Sequence, residues 1–76
     1  MKLNEFVKAF TAEFEETDES VFSPATDYKS LEEWGSLTAL SIISMIDNEM
    51  DKTITGADLR ACTTIEELHN LIQTKE

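Results

Sequence analysis

Residues 32–46 read EEWGSLTALSIISMI. From Ser36 onward the stretch is apolar on one side. Ala39, Ile42, Ile43 and Ile46, continued by Met50, recur at i, i+3, i+4, i+7 and i+11, the spacing of one face of an α-helix. Leu37, Ser41, Ser44 and Asn48 fall on the other side, with Leu40 between the two. The spacing predicts a helix over Ser36–Met50. Serine is a favoured N-cap, so the ordinary role of Ser36 is to start that helix. The alternative role is to present its hydroxyl to another molecule.

Working outward, Leu3, Phe6, Val7, Phe10 and Phe14 carry the same spacing and predict a first helix from about Lys2 to about Glu16. Between Thr17 and Gly35 no period holds. A connection of that length is uncommon in a small domain and is usually functional or disordered. This one contains Val21, Phe22, Tyr28, Leu31 and Trp34, so it is expected to pack down on the helices. After Met50, Ile54 is a lone apolar anchor. Thr55 followed by Asp58 resembles a capping box and predicts a short helix from Gly56 to about Arg60 or Ala61. Thr63 and Thr64 stand three residues before Glu66 and Glu67, and either pair can open a last helix from Ile65 to about Gln73, with Ile65, Leu68, Leu71 and Ile72 apolar. No strand pattern and no repeat appear. The expected fold is all-α: a small four-helix bundle in one domain, residues 1–76, with a long loop between helices one and two and a short third helix.

The chain carries 16 acidic and 6 basic residues, a net charge of −10. That charge disfavours nucleic acid, whose phosphates need Lys and Arg, and an anionic membrane surface. It suits basic protein partners reached by electrostatic steering. With 41% hydrophobic residues the acidity does not imply disorder. No apolar run is long enough to span a bilayer, Glu5 and Lys8 interrupt any signal-peptide core, and one cysteine forms no internal disulfide. A cytoplasmic monomer is expected.

Residues for catalysis are few. His69 and Cys62 are the single histidine and cysteine, and neither sits in a motif. His69 reads as a partly exposed helix residue, and Cys62 as a small apolar one. No base stands near Ser36 in the sequence to make it a nucleophile. Asp47, Glu49, Asp51 and Asp58 match four positions of a calcium loop. Lys52 stands where that loop needs glycine, and the first ligands would lie inside a helix. The chain is therefore not read as an enzyme or as a specific metal protein. Negative charge at Asp47, Glu49 and Asp51 opposes the dipole of the helix it ends, by about 0.3–1 kcal/mol each at low salt. A docking surface for a basic partner accounts for that placement better than stability does.

Taken together, the first-helix stripe, the Pro24-to-Trp34 loop with Tyr28, the helix after Ser36, Ile54 and "TTIEEL" resemble an acyl carrier protein over nearly the whole chain. The family's motif is Asp-Ser-Leu; here it reads Gly35-Ser36-Leu37. Thr38 and Ser41 stand where carboxylates are common in the family.

The resemblance implies a carrier whose Ser36 holds a covalent 4'-phosphopantetheine arm, with acyl groups borne as thioesters for fatty-acid, polyketide or related biosynthesis. It implies a phosphopantetheinyl transferase as one partner, and acyl-activating and acyl-transferring enzymes with basic docking surfaces as others. Leu37, Leu40, Ser41, Ser44, Asp47, Glu49 and Asp51 would face those partners. Ile46, Ile54, Leu59, Cys62 and Leu68 would line an acyl pocket. The alternative is an unmodified acidic helical adaptor that uses the same face for docking.

Overall fold

The helix starts are written in the side chains. In the computed structural model, which describes residues 1–75, α1 spans Leu3–Thr11, α2 Ser36–Met50, α3 Gly56–Ala61 and α4 Ile65–Gln73. Two short 3₁₀ turns, Glu19–Val21 and Tyr28–Ser30, lie in the long connection between α1 and α2. Thr55 and Asp58 close a reciprocal capping box on α3, and Thr64 and Glu67 close another on α4. Of the two T-x-x-E pairs, the chain uses Thr64–Glu67. The Glu67 carboxylate accepts the backbone N–H groups of Thr64 and Thr63, which together hold it below the usual carboxylate range.

Helix α1 ends sooner than its apolar period. It stops at Thr11, not near Glu16. The next bonds run i to i−3, from Glu13 N–H to the Phe10 carbonyl and from Phe14 N–H to that of Thr11, so the chain tightens and turns. Phe14 still reaches the core at 5% exposure, so the spacing of the stripe continues through a turn that is no longer α-helical. Glu13, Glu15 and Glu16 would also have placed three negative charges on the negative end of a longer helix.

Aromatic rings build the core. Phe6, Phe10 and Phe14 follow one another along α1 and its exit, and Phe10 meets both Phe22 and Tyr28. Trp34 stands edge-on to Tyr28 with ring centroids 4.9 Å apart. Ile42, Met45 and Ile46 of α2, Ile54, Leu59 of α3, Cys62, and Ile65, Leu68 and Ile72 of α4 complete it. Helix α1 packs on α4 and α2, and α2 packs on α3. Within α2 the buried line is Ile42, Met45 and Ile46; Ala39, Ile43 and Met50 flank it half-buried. Met45 departs from the expected stripe because this helix is apolar over much of its circumference, and its neighbours choose the inward side.

The long connection packs as its Phe22, Tyr28, Leu31 and Trp34 require, but Val21 does not join them and stays 46% exposed. The 3₁₀ turn that seats Phe22 at its end leaves Val21 facing outward. The connection is pinned at both ends of its course. Glu33 accepts hydrogen bonds from Glu16 N–H and the Thr17 hydroxyl, at 2.8 and 2.6 Å. Those bonds, that of Thr17 foremost, hold its carboxyl below the usual range. Ile65 and Glu66 donate their N–H groups to the carbonyls of Thr26 and Pro24, tying the middle of the connection to the start of α4.

Among the described residues there is one ion pair, Lys75–Asp58 at 3.1 Å, in a chain of net charge −10. Self-repulsion is therefore largely uncompensated by specific pairs. Melting temperature is expected to climb as sodium chloride is raised, because the Debye length falls to about 3 Å at 1 M. Magnesium should act at lower concentration. A thermal melt that is flat or falls across the salt series would show that repulsion does not limit this fold.

Candidate functional site at the head of the second helix

The N-cap of α2 is Gly35, and Ser36 is the first helical residue. Ser36 is exposed, and its hydroxyl enters none of the hydrogen bonds among the described residues. The capping role that its position suggested therefore does not account for it. Gly35 offers no side-chain acceptor, so the first-turn N–H groups of α2 have no side-chain cap. The approach is set by two neighbours: Glu33 is held by Glu16 and Thr17, and the Thr38 hydroxyl donates to the Glu33 carbonyl at 2.7 Å. Ser36 thus projects from a start fixed on both sides.

Gly35 is extended, φ −174° and ψ −175°, a conformation open to any residue, and a Cβ added there meets nothing within 4 Å. Gly35→Asp is accordingly expected to fit without strain and to cap α2. The gain should be a few tenths of a kcal/mol, the usual difference between glycine and a good cap. A urea midpoint below that of the parent would contradict it.

Two depressions lie along α2, and Ser36 itself lines the second. One, of about 460 Å³, runs along the outer side of α2 and is lined by Leu37, Leu40, Ser41, Ser44, Met45, Asn48 and Glu49, with Glu13 from beyond α1. Leu37 and Leu40 are 80% and 59% exposed, the two most exposed large apolar side chains of the molecule's described part. Five of the seven residues expected to face partners lie here together. Asp47 and Asp51 do not line this groove, although both are exposed. Asp51 has a backbone reason for its place as well: it caps α2 in the left-handed region at φ 54°, which Asp tolerates better than most residues.

The second depression, of about 270 Å³, opens beside Ser36 between the Tyr28–Ser30 turn, the start of α2, and α3. Lys29, Trp34, Gly35, Ser36, Ala39, Gly56, Leu59 and Arg60 line it. Sequence reasoning did not find it, because Lys29 and Arg60 lie 31 residues apart. Lys29 Nζ donates to the Arg60 carbonyl at 2.9 Å, and that contact is what joins them. Ile46, Ile54, Leu59, Cys62 and Leu68 all belong to the buried core, and of these five Leu59 also reaches the groove.

The other candidates stand apart from this site. The Cys62 thiol is buried and its pKa is pushed up, first by burial and then by the charges of Glu67 and Asp58, so it is a poor nucleophile at neutral pH. His69 is half-buried on α4, its ring 5.3 Å from that of Phe6 and its Nε2 3.0 Å from the Met1 carbonyl. Asp47 and Glu49 lie within α2 while Asp58 caps α3 and pairs with Lys75. The four calcium-loop positions therefore do not converge. No helix among the described residues is long and apolar enough to cross a membrane. Neither a family model nor a curated protein nor a solved structure matches the chain.

Proposed function

We propose that the protein is an acyl carrier whose Ser36 bears a covalent 4'-phosphopantetheine arm. The observation that carries this reading is the unemployed hydroxyl. Ser36 stands exposed at the first position of α2, yet Gly35, not Ser36, occupies the cap. The surroundings fit the group. A phosphate on Ser36 Oγ would sit at the positive end of a 15-residue helix whose first N–H groups lack a side-chain acceptor. The groove toward Trp34 and Leu59 lies beside that attachment point and offers an apolar wall.

The arm, when bound, supplies a terminal thiol that carries acyl groups as thioesters. The chain supplies the rest. Leu37 and Leu40 offer apolar contact along α2, Ser41 and Ser44 keep that face uncharged, and Glu49, Asp47 and Asp51 add negative charge toward its end. Such a surface suits a phosphopantetheinyl transferase and acyl-activating or acyl-transferring enzymes that dock through basic patches.

Co-expression with a broad-specificity phosphopantetheinyl transferase is the test. One arm's mass should appear on the intact protein; no mass gain would leave the unmodified adaptor as the better reading. Gly35→Asp should speed the gain under subsaturating transferase by more than it changes stability, since a carboxylate beside Ser36 could meet a cation of the transferase. Equal rates would make position 35 neutral to that enzyme.

A further inference from the structure

We propose that the groove beside Ser36 selects cargo ending in a carboxylate, with Lys29 and Arg60 as its cationic wall; the inference rests on the carrier reading above. Acids outnumber bases 16 to 6 in this chain, yet two of the six bases line this one groove and no acid does. Apart from Ser36 and two glycines, its remaining wall is apolar, from Trp34, Ala39 and Leu59. An apolar slot with charge of one sign at its edge fits an acyl chain with a terminal anion.

The two cations are available. Among the described residues neither has a carboxylate within ion-pair distance, since Lys75–Asp58 is the single pair. The nearby acids are hydrogen-bonded to other donors, although the Glu67 charge still feels Lys29 from beyond ion-pair distance. Asp27 accepts the Lys29 N–H, Asp58 serves Thr55 and Lys75, and Glu67 accepts two backbone N–H groups at the start of α4. Lys29 spends one of its three protons on the Arg60 carbonyl and keeps two. The Arg60 side chain lies back over Gly56, where an added Cβ would come 3.4 Å from Nη1, so it borders the groove. A clasp between the loop and α3 explains the Lys29 contact, and a favourable dipole explains a cation in the last turn of α3. Neither explains why two of the six bases share one groove with no acid beside them. The arm's own phosphate has another place, at the uncapped N–H groups of α2.

The arms can be installed chemically, as mixed disulfides on Ser36→Cys, so that the result does not depend on a transferase. Cys62 is buried, so the parent protein treated alongside should gain no mass. Three thiols of pantetheine length are compared: one ending in a carboxylate, one in a neutral group of the same size, and one with a phosphate near the sulfur and a neutral end. The readouts are the Arg60 Nε–Hε resonance and the emission of Trp34, the single tryptophan, which lies in the groove. The carboxylate arm should shift both, and Lys29→Gln with Arg60→Gln should abolish its effect on Trp34. An equal Arg60 shift with the phosphate arm would overturn the proposal by assigning the cations to the arm. No Arg60 shift with the carboxylate arm would overturn it by making the groove an apolar one. Absence of enzymatic mass gain at Ser36 is a separate result, and it bears on the carrier reading alone.

Discussion

Tyr28→Ala should leave little folded protein, and Tyr28→Phe should fold with a clear loss of stability. Tyr28 is fully buried between Phe10 and Trp34, and its hydroxyl points at two carbonyls, that of Leu59 at 2.5 Å and that of Cys62 at 3.1 Å. Burial raises the pKa of that hydroxyl well above its ordinary value, so it remains a donor throughout the working range. Phenylalanine keeps the ring and strips both carbonyls of their partner. An unsatisfied buried group costs about 1–3 kcal/mol. Alanine removes the ring as well, and truncating a buried aromatic costs about 3–5 kcal/mol. A chain of this length has roughly 4–11 kcal/mol in all, at 0.05–0.15 kcal/mol per residue. The larger loss is therefore comparable to the whole. Urea denaturation of the two variants separates ring from hydroxyl. A Tyr28→Phe midpoint equal to the parent's would show that the two carbonyls do not depend on this donor. The same hydroxyl ties the long connection to the end of α3, so Tyr28→Phe should also loosen the groove that Lys29 and Arg60 border.

The helices after Ser36 were legible because each has a local signal that tertiary packing did not override. The period of α2, the Thr55–Asp58 box and the Thr64–Glu67 box act within one or two turns of backbone, and the structure keeps their boundaries. The end of α1 was not legible. Phe14 satisfies the helical spacing and is buried, and only the i to i−3 bonds after Thr11 reveal that the backbone has left the helix. Val21 misled for a related reason: an apolar residue in a loop is no guide to which neighbour the turn will face inward. The position of Ser36 on α2 was readable from the sequence, but its freedom was not. A serine heading a helix looks like a cap, and a glycine before it can cap as well; the backbone decides between them, and Gly35 holds that place. The groove was hidden altogether, since its cations come from a 3₁₀ turn and from α3, and Tyr28 and Lys29 bring those together over contacts of 31 residues or more.

On the carrier reading, Ser36→Ala should abolish arm attachment entirely and leave stability almost untouched. A capping serine replaced by alanine would cost about 0.5–2 kcal/mol. Here the cap is Gly35, the Ser36 hydroxyl bonds to nothing among the described residues, and the side chain is exposed. The change should thus fall within about 0.5 kcal/mol of zero, as for surface substitutions away from special features. Two measurements made on one preparation separate the roles. A urea midpoint near the parent's, with mass gain by the parent and none by the variant under excess transferase, would give Ser36 a role in chemistry outside the fold. A marked fall in the midpoint would return it to a structural part through a contact that opens only in solution. Mass gain by the alanine variant would move the modification to another hydroxyl. The exposed Ser41 and Ser44 on the same helix would then be the first to map by peptide mass, since both line the groove that starts at Leu37.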